Sequence, residues 1–247
     1  MLIAFEGGEG SGKSTQAKVL YGRLCQAGHR ARLLREPGGT ALGETLRTLV
    51  ALPQQLRAAT WRGSLVSPPA GSQLAAKELW LPICPQAELF LFAASRAQLV
   101  SEVIRPALAK GSIVVIDRFI HSTLAYQGYG RGLDLELVGH VNRLATLGVG
   151  PDLVILLDID PAKGIARKRR AADMSRFENE DMEFHRRVRQ GYLELSRREP
   201  ERWLMLDAGW PRAELTRQIW ERVAPLLPAK PPAVAVAASP GKPERLL

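Results

Sequence analysis

The chain has 247 residues, 46% of them hydrophobic, and a formal net charge of +9 at pH 7. Such a chain can bury one sizeable core, and its charge suits polyanionic ligands such as nucleotides, nucleic acid or an acidic membrane surface. Cys25 and Cys84 lack C-x-x-C spacing and accompany only four histidines, which indicates neither a disulfide framework nor a zinc site. We expect both thiols to be buried. Because Met1 leads directly into an apolar run and no stretch of about 18 apolar residues occurs, we expect a soluble, cytoplasmic protein without a membrane partner.

The first motif along the chain is a glycine-rich segment that follows the apolar run from Met1 to Phe5 and precedes an amphipathic stretch. It matches G-x-x-x-x-G-K-[ST], the phosphate-binding loop, in which backbone N–H groups and a lysine surround phosphate oxygens. The sequence therefore predicts that Lys13 reaches the β- and γ-phosphates of a nucleotide and that the Ser14 hydroxyl ligates Mg²⁺. The residues predicted to bind the nucleotide are Gly7, Gly8, Glu9, Gly10, Ser11, Gly12, Lys13, Ser14 and Thr15.

Short apolar runs rich in Val, Ile and Leu recur along the chain. They do not alternate with polar residues, and helical stretches separate them, which is typical of strands buried on both faces of a parallel sheet. We therefore predict an α/β fold of the P-loop NTPase type, a three-layer sandwich in which helices flank a five-stranded parallel sheet. The predicted strands are Leu2 to Phe5, Ala31 to Leu34, Ile113 to Ile116, Leu153 to Leu157, and Trp203 to Leu206.

Two regions lack the periodicity of helices and strands. Pro53 to Pro85 gathers Gly, Ser and Pro, and we predict an exposed insertion with a short helix near Leu74 to Leu79. Pro228 to Leu247 is Pro, Ala, Val and Lys without a pattern. We predict that it is a disordered tail after a single domain, residues 1–227.

Polar clusters follow the second and third apolar runs, at the edge where parallel sheets bind ligands. The first cluster is Arg35 to Thr40, although a turn that needs Pro-Gly would look similar. In the second, Asp117 could hold the Mg²⁺ shell or Lys13, and Arg118 offers a fork for phosphate; an ordinary strand-end ion pair is the alternative. Arg96 lies on an otherwise apolar helical stripe, so packing does not explain its presence.

Several segments share the order and spacing of one known family from Met1 to about Leu226. They are Phe5 to Thr15, Arg35 to Thr40, Leu91 to Arg96, Asp117 to Phe119, Ser122 to Gly128, Arg176 to Glu178 and Phe184 to Tyr192. Together they resemble bacterial thymidylate kinase, since other nucleoside monophosphate kinases share the first loop but not the second segment together with Ala125 to Gly128. The resemblance implies a homodimer that uses ATP and Mg²⁺ to phosphorylate dTMP to dTDP by in-line transfer of the γ-phosphoryl group.

The resemblance also implies roles for the residues of an acceptor site. Phe92 would stack on thymine and Arg96 would bond its carbonyl edge, with core filling as the alternative for Phe92. Glu9 would contact the 3′-hydroxyl or Mg²⁺. Tyr126 would crowd the 2′ position and so favour deoxyribose, unless it is an ordinary helix-surface residue. The remaining residues would be Thr123 and Gln127 around the base, Arg47, Arg118, Glu36 and Pro37 around the acceptor phosphate, and Ser14 and Asp117 around the metal.

A mobile lid over ATP, at residues 167–178, is a further implication of the resemblance. The residues that match the family there are Arg167, Arg169 and Arg176. The family commonly has an arginine and a glycine where this chain has Ala171 and Ala172, and an aspartate where it has Ser175. A basic run of this kind is more often a solvated helix face, which is the alternative interpretation.

The phosphate loop constrains the source of a catalytic arginine. Related kinases can carry an arginine directly after the acidic residue of the loop, but this position is Gly10 here. The positive charge on the transferred phosphoryl group, beyond that of Lys13 and Mg²⁺, must therefore arrive from elsewhere. The lid supplies the candidates, of which we favour Arg169, with Arg170 compensating for Ala171. The other lid candidates are Arg167 and Arg176. The predicted catalytic residues are Lys13, Arg118, Arg169 and Arg170.

Two other functions fit parts of the sequence. One is a kinase for another acceptor, such as dUMP or a deoxynucleoside. The other is a non-catalytic nucleic-acid-binding protein that uses the +9 charge. We expect no nucleic-acid partner, because the basic residues cluster near the lid and no RNA-binding motif of stacked aromatics is evident. A switch GTPase is disfavoured because no N-K-x-D motif occurs.

Overall fold

The computed structural model describes residues 1–51, 83–170 and 175–228 of the chain. The predicted insertion, with its short helix, falls on the undescribed residues 52–82 except for residues 83–85, and the predicted tail falls on residues 229–247 except for Pro228. Both predictions lie outside the described residues. Residues 171–174 of the predicted lid lie outside them as well.

All five predicted strands are present and belong to one parallel sheet. They are β1 (Leu2–Glu6), β2 (Ala31–Arg35), β3 (Ile113–Asp117), β4 (Leu153–Asp158) and β5 (Trp203–Asp207). The order across the sheet is β2-β3-β1-β4-β5, and every neighbouring pair is parallel. Each strand is one residue longer than its apolar run, and each added residue is charged. The carboxyl edge of the sheet is therefore lined with charged side chains, which is where the sequence predicts the ligand site.

Helices cover both faces of the sheet, so the predicted three-layer α/β fold is confirmed. The helices are α1 (Lys13–Gln26), α2 (Ala41–Ala51), α3 (Pro85–Leu99), α4 (Arg105–Ala109), α5 (Ile120–Thr123), α6 (Leu135–Thr146), α7 (Pro161–Arg170), α8 (Met182–Arg198) and α9 (Arg212–Val223). Wider turns of π-helix at Val100–Ile104 and Leu124–Gly130 extend α3 and α5. Short 3₁₀ turns lie at Arg176–Asn179, Pro200–Arg202 and Ala224–Leu226.

The two faces of the sheet bury alternate residues of each strand, as the pleat requires. On one face Ile3 and Phe5 pack with apolar residues of α1 and α9. On the other face Leu2 and Ala4 pack with residues from the end of α3 and the turn after it. Burial on both faces holds for the central strands β1, β3 and β4, whereas the edge strands β2 and β5 are partly exposed. The prediction of fully buried strands is therefore right for the centre of the sheet and wrong for its edges.

Both cysteines are exposed, contrary to our expectation. Cys25 directly follows the buried Leu24 on α1, and one step along a helix turns it about 100° away from the buried stripe. Cys84 precedes the first turn of α3. Among the helices in the described ranges, none combines the length and apolar character needed to cross a membrane.

Candidate active site

A cavity of about 870 Å³ lies at the carboxyl edge of the sheet. Its lining combines the phosphate loop, the segments after β2 and β3, one face of α3, and residues of α7 and the turn after it. The predicted site residues that line it are Glu9, Gly10, Ser11, Gly12, Lys13, Ser14, Thr15, Glu36, Pro37, Arg47, Phe92, Arg96, Asp117, Arg118, Thr123, Tyr126 and Gln127. Segments far apart in the sequence thus form one space large enough for two nucleotides to meet.

The phosphate loop closes against α7 without any side chain between the two backbones. Gly10 has φ 67°, and a Cβ atom there would lie 2.0 Å from the carbonyl oxygen of Gly164. A Cβ atom on Gly164 would in turn lie 2.1 Å from the carbonyl oxygen of Glu9. A side chain at either position would force the loop and α7 apart. The absence of an arginine at Gly10 therefore has a steric reason in this chain.

Lys13 is buried at the centre of the loop. Its Nζ donates hydrogen bonds to the Gly8 carbonyl at 2.7 Å and to Ser11 Oγ at 3.2 Å. Burial, followed by the charge of Arg118, lowers the pKa of Lys13 to about 8. The carboxylates of Glu9, Asp117 and Glu6 raise the pKa of Lys13 but do not offset its burial. The negative charge of a phosphate group would favour the ammonium form further.

Ser14 and Asp117 supply the oxygen ligands expected for a divalent cation. The Ser14 hydroxyl donates to Asp117 Oδ2, which joins the start of α1 to the end of β3. Among the described residues no group of three or more His, Cys, Asp or Glu side chains could hold a metal ion. This small donor set suits Mg²⁺, which keeps several waters and binds through one or two protein oxygens together with substrate phosphates.

Glu9 and Arg118 connect the loop to the segment after β3. Arg118, with φ 69°, donates to Glu9 Oε1 at 2.6 Å and to the Tyr126 hydroxyl at 3.1 Å. The Tyr126 hydroxyl donates to the same Glu9 oxygen at 2.7 Å. Burial by itself raises the pKa of Glu9, but the charges of Arg118 and Lys13 and the tyrosine hydrogen bond together lower it to about 2. Glu9 is therefore a carboxylate held in one orientation beside the phosphate loop.

A further buried carboxylate, Glu6, stabilises the turn that carries Arg118, and the sequence did not indicate this role. Glu6 accepts hydrogen bonds from the backbone N–H groups of Phe119 and Ser122 and from the hydroxyls of Ser122 and Tyr192. Burial raises the pKa of Glu6 against the effect of these donors. They fix the turn that carries Arg118. The only sequence signal is a glutamate placed directly after a fully apolar run.

Arg96 is 1% exposed and is held on three sides. Its Nε donates to Glu36 at 2.8 Å, one terminal nitrogen to Asn142 at 2.6 Å, and the other to the Phe119 carbonyl at 3.2 Å. Despite the arginine, burial raises the pKa of Glu36 to about 7. Glu36 Oε1 is buried and finds no hydrogen-bond partner among the described residues. The sequence singled out Arg96 as an unusual residue, but it did not identify Glu36 and Asn142 as its partners.

The remaining residues of the predicted acceptor site also converge on the cavity. Phe92 is partly buried, and its ring lies 6.1 Å from that of Phe177. The Tyr126 ring meets Phe177 edge to face at 5.7 Å. Arg47 donates to the Pro37 carbonyl at 3.2 Å, and burial lowers its pKa. Thr123 and Gln127 are almost fully buried in the cavity wall. Phe177 has no individual role in the sequence analysis, although it belongs to a segment that matches the family.

The four basic residues at the end of α7 divide into two pairs. Arg167 and Lys168 line the cavity: Arg167 donates to the Ala208 carbonyl at 2.9 Å, and Lys168 lies 3.6 Å from Glu178. Arg169 and Arg170, the predicted catalytic pair, are exposed at the end of the helix, outside the described lining.

Arg176, the last of the lid arginines, is not among the residues that line the cavity. It donates to Glu88 and to the Val50 carbonyl. Its role here is to fasten the end of the predicted lid to α2 and α3.

A phosphate loop that shares one cavity with arginines and aromatic rings, at the carboxyl edge of a parallel sheet, defines a P-loop nucleotide kinase. The sequence model of one family, described as thymidylate kinase, matches residues 5–61 and 52–219. The chain belongs to the thymidylate kinase family. The predicted identification as an enzyme that phosphorylates thymidylate is confirmed, and the alternatives of another nucleotide kinase or a nucleic-acid-binding protein are not favoured.

Individual relatives agree with this identification. A thymidylate kinase from Synechococcus sp. strain JA-2-3B'a(2-13) is 46% identical over 228 residues, which cover 92% of this chain and 96% of that protein. One from Deinococcus radiodurans is 44% identical over 224 residues, 91% of this chain and 96% of that protein. The crystal structure of thymidylate kinase from Ehrlichia chaffeensis superimposes with a TM-score of 0.63 at 29% identity, covering 90% of this chain and 98% of that one.

Proposed function

We propose that this chain uses Mg²⁺ to transfer the γ-phosphoryl group of ATP in line to the 5′-phosphate of dTMP, giving ADP and dTDP. The observation that carries this proposal is one cavity lined by Lys13 of the phosphate loop, Arg118 of the acceptor side and Glu9, whose pKa the charges of both cations lower. Phosphoryl transfer requires little covalent chemistry from the protein, because positioning of the substrates and stabilisation of charge account for most of the rate enhancement. The residues of this cavity provide both.

On the donor side, the phosphates of ATP would bind to the backbone N–H groups of the loop, with the positive end of α1 directed at them. The Lys13 ammonium would exchange its bond to the Gly8 carbonyl for oxygens of the β- and γ-phosphates. Ser14 and Asp117 would hold Mg²⁺, which neutralises charge on the phosphates when bound. The lid arginines, with Arg169 favoured, would add charge to the transferred group.

On the acceptor side, the thymine ring would stack on Phe92, and Arg96 would donate to its carbonyl edge. The described contacts leave one N–H of the Arg96 guanidinium unassigned, since such a group carries five. Arg118 and Arg47 would hold the acceptor phosphate. Glu9 would accept from the 3′-hydroxyl, and Tyr126 would exclude a 2′-hydroxyl.

We also propose a homodimer that acts in the cytoplasm on ATP and dTMP, without nucleic acid. The exposed faces of the neighbouring helices α2, α3 and α6 carry large apolar side chains, which isolated soluble chains rarely group together. They are Leu42, Phe90, Leu137 and Leu144. Sedimentation of the wild-type chain and of Phe90→Glu tests this: we expect a dimer that the variant weakens, and a monomeric wild type would contradict the proposal.

A transfer assay tests the proposed reaction. The purified chain would be given ATP and a panel of acceptors, namely dTMP, dUMP, dCMP, UMP and thymidine, with and without excess chelator. We expect dTMP to give the highest kcat/KM and the chelator to abolish transfer. A higher kcat/KM for another acceptor, or transfer that survives removal of divalent cations, would contradict the proposal.

A further inference from the structure

Another buried carboxylate lies behind the acceptor pocket, in the first turn of α3. Glu88 is fully buried and accepts hydrogen bonds from three side chains, two from the π-helical turn at Leu124–Gly130 and the residue after it, and one from the turn at Arg176–Asn179. Arg131 donates to its two oxygens at 3.2 and 3.1 Å, and Arg176 donates to Oε2. The third donor is the amide nitrogen of Gln127, 2.6 Å from Glu88 Oε1. Of these three donors, only Gln127 also lines the cavity.

The contact with Glu88 determines which end of the Gln127 amide a ligand can use. Two guanidinium groups donate to Glu88, and a carboxylate can only accept hydrogen bonds. The NH₂ end of the amide must therefore face Glu88. No described residue donates to Gln127 Oε1, so this oxygen is the atom left for a ligand in the cavity.

We propose that Glu88 is a positioning residue for base selectivity, which holds the Gln127 amide so that only its oxygen is available to the acceptor base. This inference rests on the proposed function of the cavity as the dTMP site. It concerns a residue that touches neither substrate.

The selectivity follows from the hydrogen-bonding pattern of pyrimidines. Ring nitrogen N3 carries a proton in thymine and uracil, so it can donate to an amide oxygen. In cytosine the same nitrogen is an acceptor, and two acceptors would face each other in a site that is 1% exposed at Gln127. Buried polar groups without a partner are costly, which is how such sites reject analogues. Glu88 thus selects against cytosine by preventing the amide from turning over.

Charge balance alone does not account for the hydrogen bond from Gln127 to Glu88. Arg131 and Arg176 already neutralise Glu88, and each has a second acceptor, Glu180 at 2.6 Å for Arg131 and the Val50 carbonyl for Arg176. The neutral amide of Gln127 adds no charge to this cluster. Its contact with Glu88 fixes an orientation.

The test is Glu88→Gln, which keeps the size of the side chain but can present either a donor or an acceptor to Gln127. The Gln127 amide can then turn over and donate to cytosine N3. We expect the ratio of kcat/KM for dTMP to that for dCMP to fall at least tenfold, with a matching fall in the ratio of their equilibrium binding constants measured without ATP. If both substrates lose activity by the same factor and the ratio stays constant, Glu88 is merely structural and the inference is wrong.

A matched control is Arg131→Gln, which loosens the same cluster but leaves the contact between Glu88 and Gln127 in place. We expect it to lower kcat/KM for both acceptors equally. Because Glu88 is proposed to act through Gln127, Glu88→Gln should not change the ratio of kcat/KM for dTMP to that for dCMP any further when Gln127 is already replaced by Leu. An additional fall in this ratio would contradict the inference.

A second variant covers the case in which Glu88→Gln does not fold. Glu88→Asp keeps the charge for both arginines and shortens the side chain by one methylene, so it should lose the 2.6 Å contact to Gln127 and lower the ratio as well. An unchanged ratio there would overturn the inference. A wild-type chain that does not prefer dTMP to dCMP would instead overturn the proposed function, so the two failures are distinguishable.

Discussion

The acceptor side of the cavity and the basic end of α7 carry the same kind of charge in opposite settings. Arg96 and Arg118 have side chains that are 1% and 18% exposed, and each is paired with a carboxylate at 2.7 Å or less. Arg169 and Arg170 are exposed at the end of a helix. The paired arginines are already oriented, so a substrate would meet them without further ordering. The exposed pair would have to move to reach a phosphate.

From this contrast we propose that the site has a preorganised acceptor half and a donor half that motion of α7 would complete. Preorganised charge stabilises a transition state without reorganisation at the moment of reaction, but it must be desolvated when the protein folds. Charge that arrives with a closing segment avoids this folding cost and also excludes water as it arrives. Substitutions in the two halves should therefore differ in whether they affect stability or only rate.

The largest expected effect on activity is that of Lys13→Ala. This variant tests whether a buried cation of the donor half affects the rate without contributing to stability. We expect kcat to fall on the order of 10⁴-fold, within the range that single cationic groups contribute to phosphoryl transfer. The melting temperature should not fall, because burial already disfavours the charged form of Lys13 and lowers its pKa to about 8.

Steady-state kinetics and thermal unfolding measure the two quantities, with the exposed Lys110→Ala as a matched control. Loss of cooperative unfolding in Lys13→Ala would assign the lysine to the fold and not to the nucleotide.

Arg96→Ala should affect both stability and binding, as expected for the preorganised half. Removal of one partner from a buried ion pair costs about 3–5 kcal/mol, because Glu36 would remain buried without its arginine. The apparent KM for dTMP should rise by the equivalent of roughly 1.5 to 3 kcal/mol, and that for ATP much less. Chemical denaturation and initial rates measure these changes.

The double variant Arg96→Met/Glu36→Gln separates the two effects. It should recover most of the stability, since no unpaired charge remains, but none of the affinity for dTMP. Equal changes in the two KM values of Arg96→Ala would remove Arg96 from the acceptor site.

The dependence of stability on pH should report the pairing of Glu9 with Arg118. The pKa of Glu9 is lowered from 4.5 to about 2 in the folded chain, so folding gains stability that is complete above pH 4.5 and is lost as the pH falls towards 2. At about 1.4 kcal/mol per pKa unit, this contribution is at most about 3 kcal/mol. In Glu9→Gln, the loss of unfolding free energy between pH 5 and pH 2 should be smaller than in the wild type by about this contribution. Parallel curves for the two proteins in urea unfolding would show that Glu9 is not held as a carboxylate.

Local motifs and strands could be predicted from the sequence, whereas contacts between buried charges could not. The loop, the strands and Asp117 and Arg118 were predictable, because a local motif and uninterrupted apolar runs specify them and parallel strands bring their carboxyl ends to one edge. The pairing of buried charges was not. Glu88 reads as an ordinary first-turn glutamate of a helix, yet its partners lie 39 to 88 positions away.

Periodicity in a single sequence reports which face of an element is apolar, but not which polar groups meet across elements. Arg96 illustrates both outcomes: its place on an apolar stripe was visible, whereas its pairing with Glu36 depends on how the segment after β2 approaches α3. The exposed cysteines show the same limit, since residue type alone predicted that they would be buried.

The smallest expected effect concerns the lid, where the contrast between the two halves is tested most directly. Arg169 and Arg170 are exposed, while their neighbours Arg167 and Lys168 already line the cavity. If motion of α7 delivers the exposed pair mainly in the transition state, the double variant Arg169→Ala/Arg170→Ala should lower kcat on the order of 10²-fold and change KM for ATP much less. Its melting temperature should stay close to that of the wild type, because neither side chain is buried.

Single-turnover rates at saturating ATP and dTMP separate this effect from product release, with the exposed Lys163→Ala on the same helix as a matched control for charge. If the pair acts as proposed, each single variant should lose less than the double variant, because one arginine partly replaces the other. Near wild-type rates in the double variant would show that the donor half is also preorganised. The charge on the phosphoryl group would then come from Arg167, the arginine of α7 that faces the cavity without any motion of the helix.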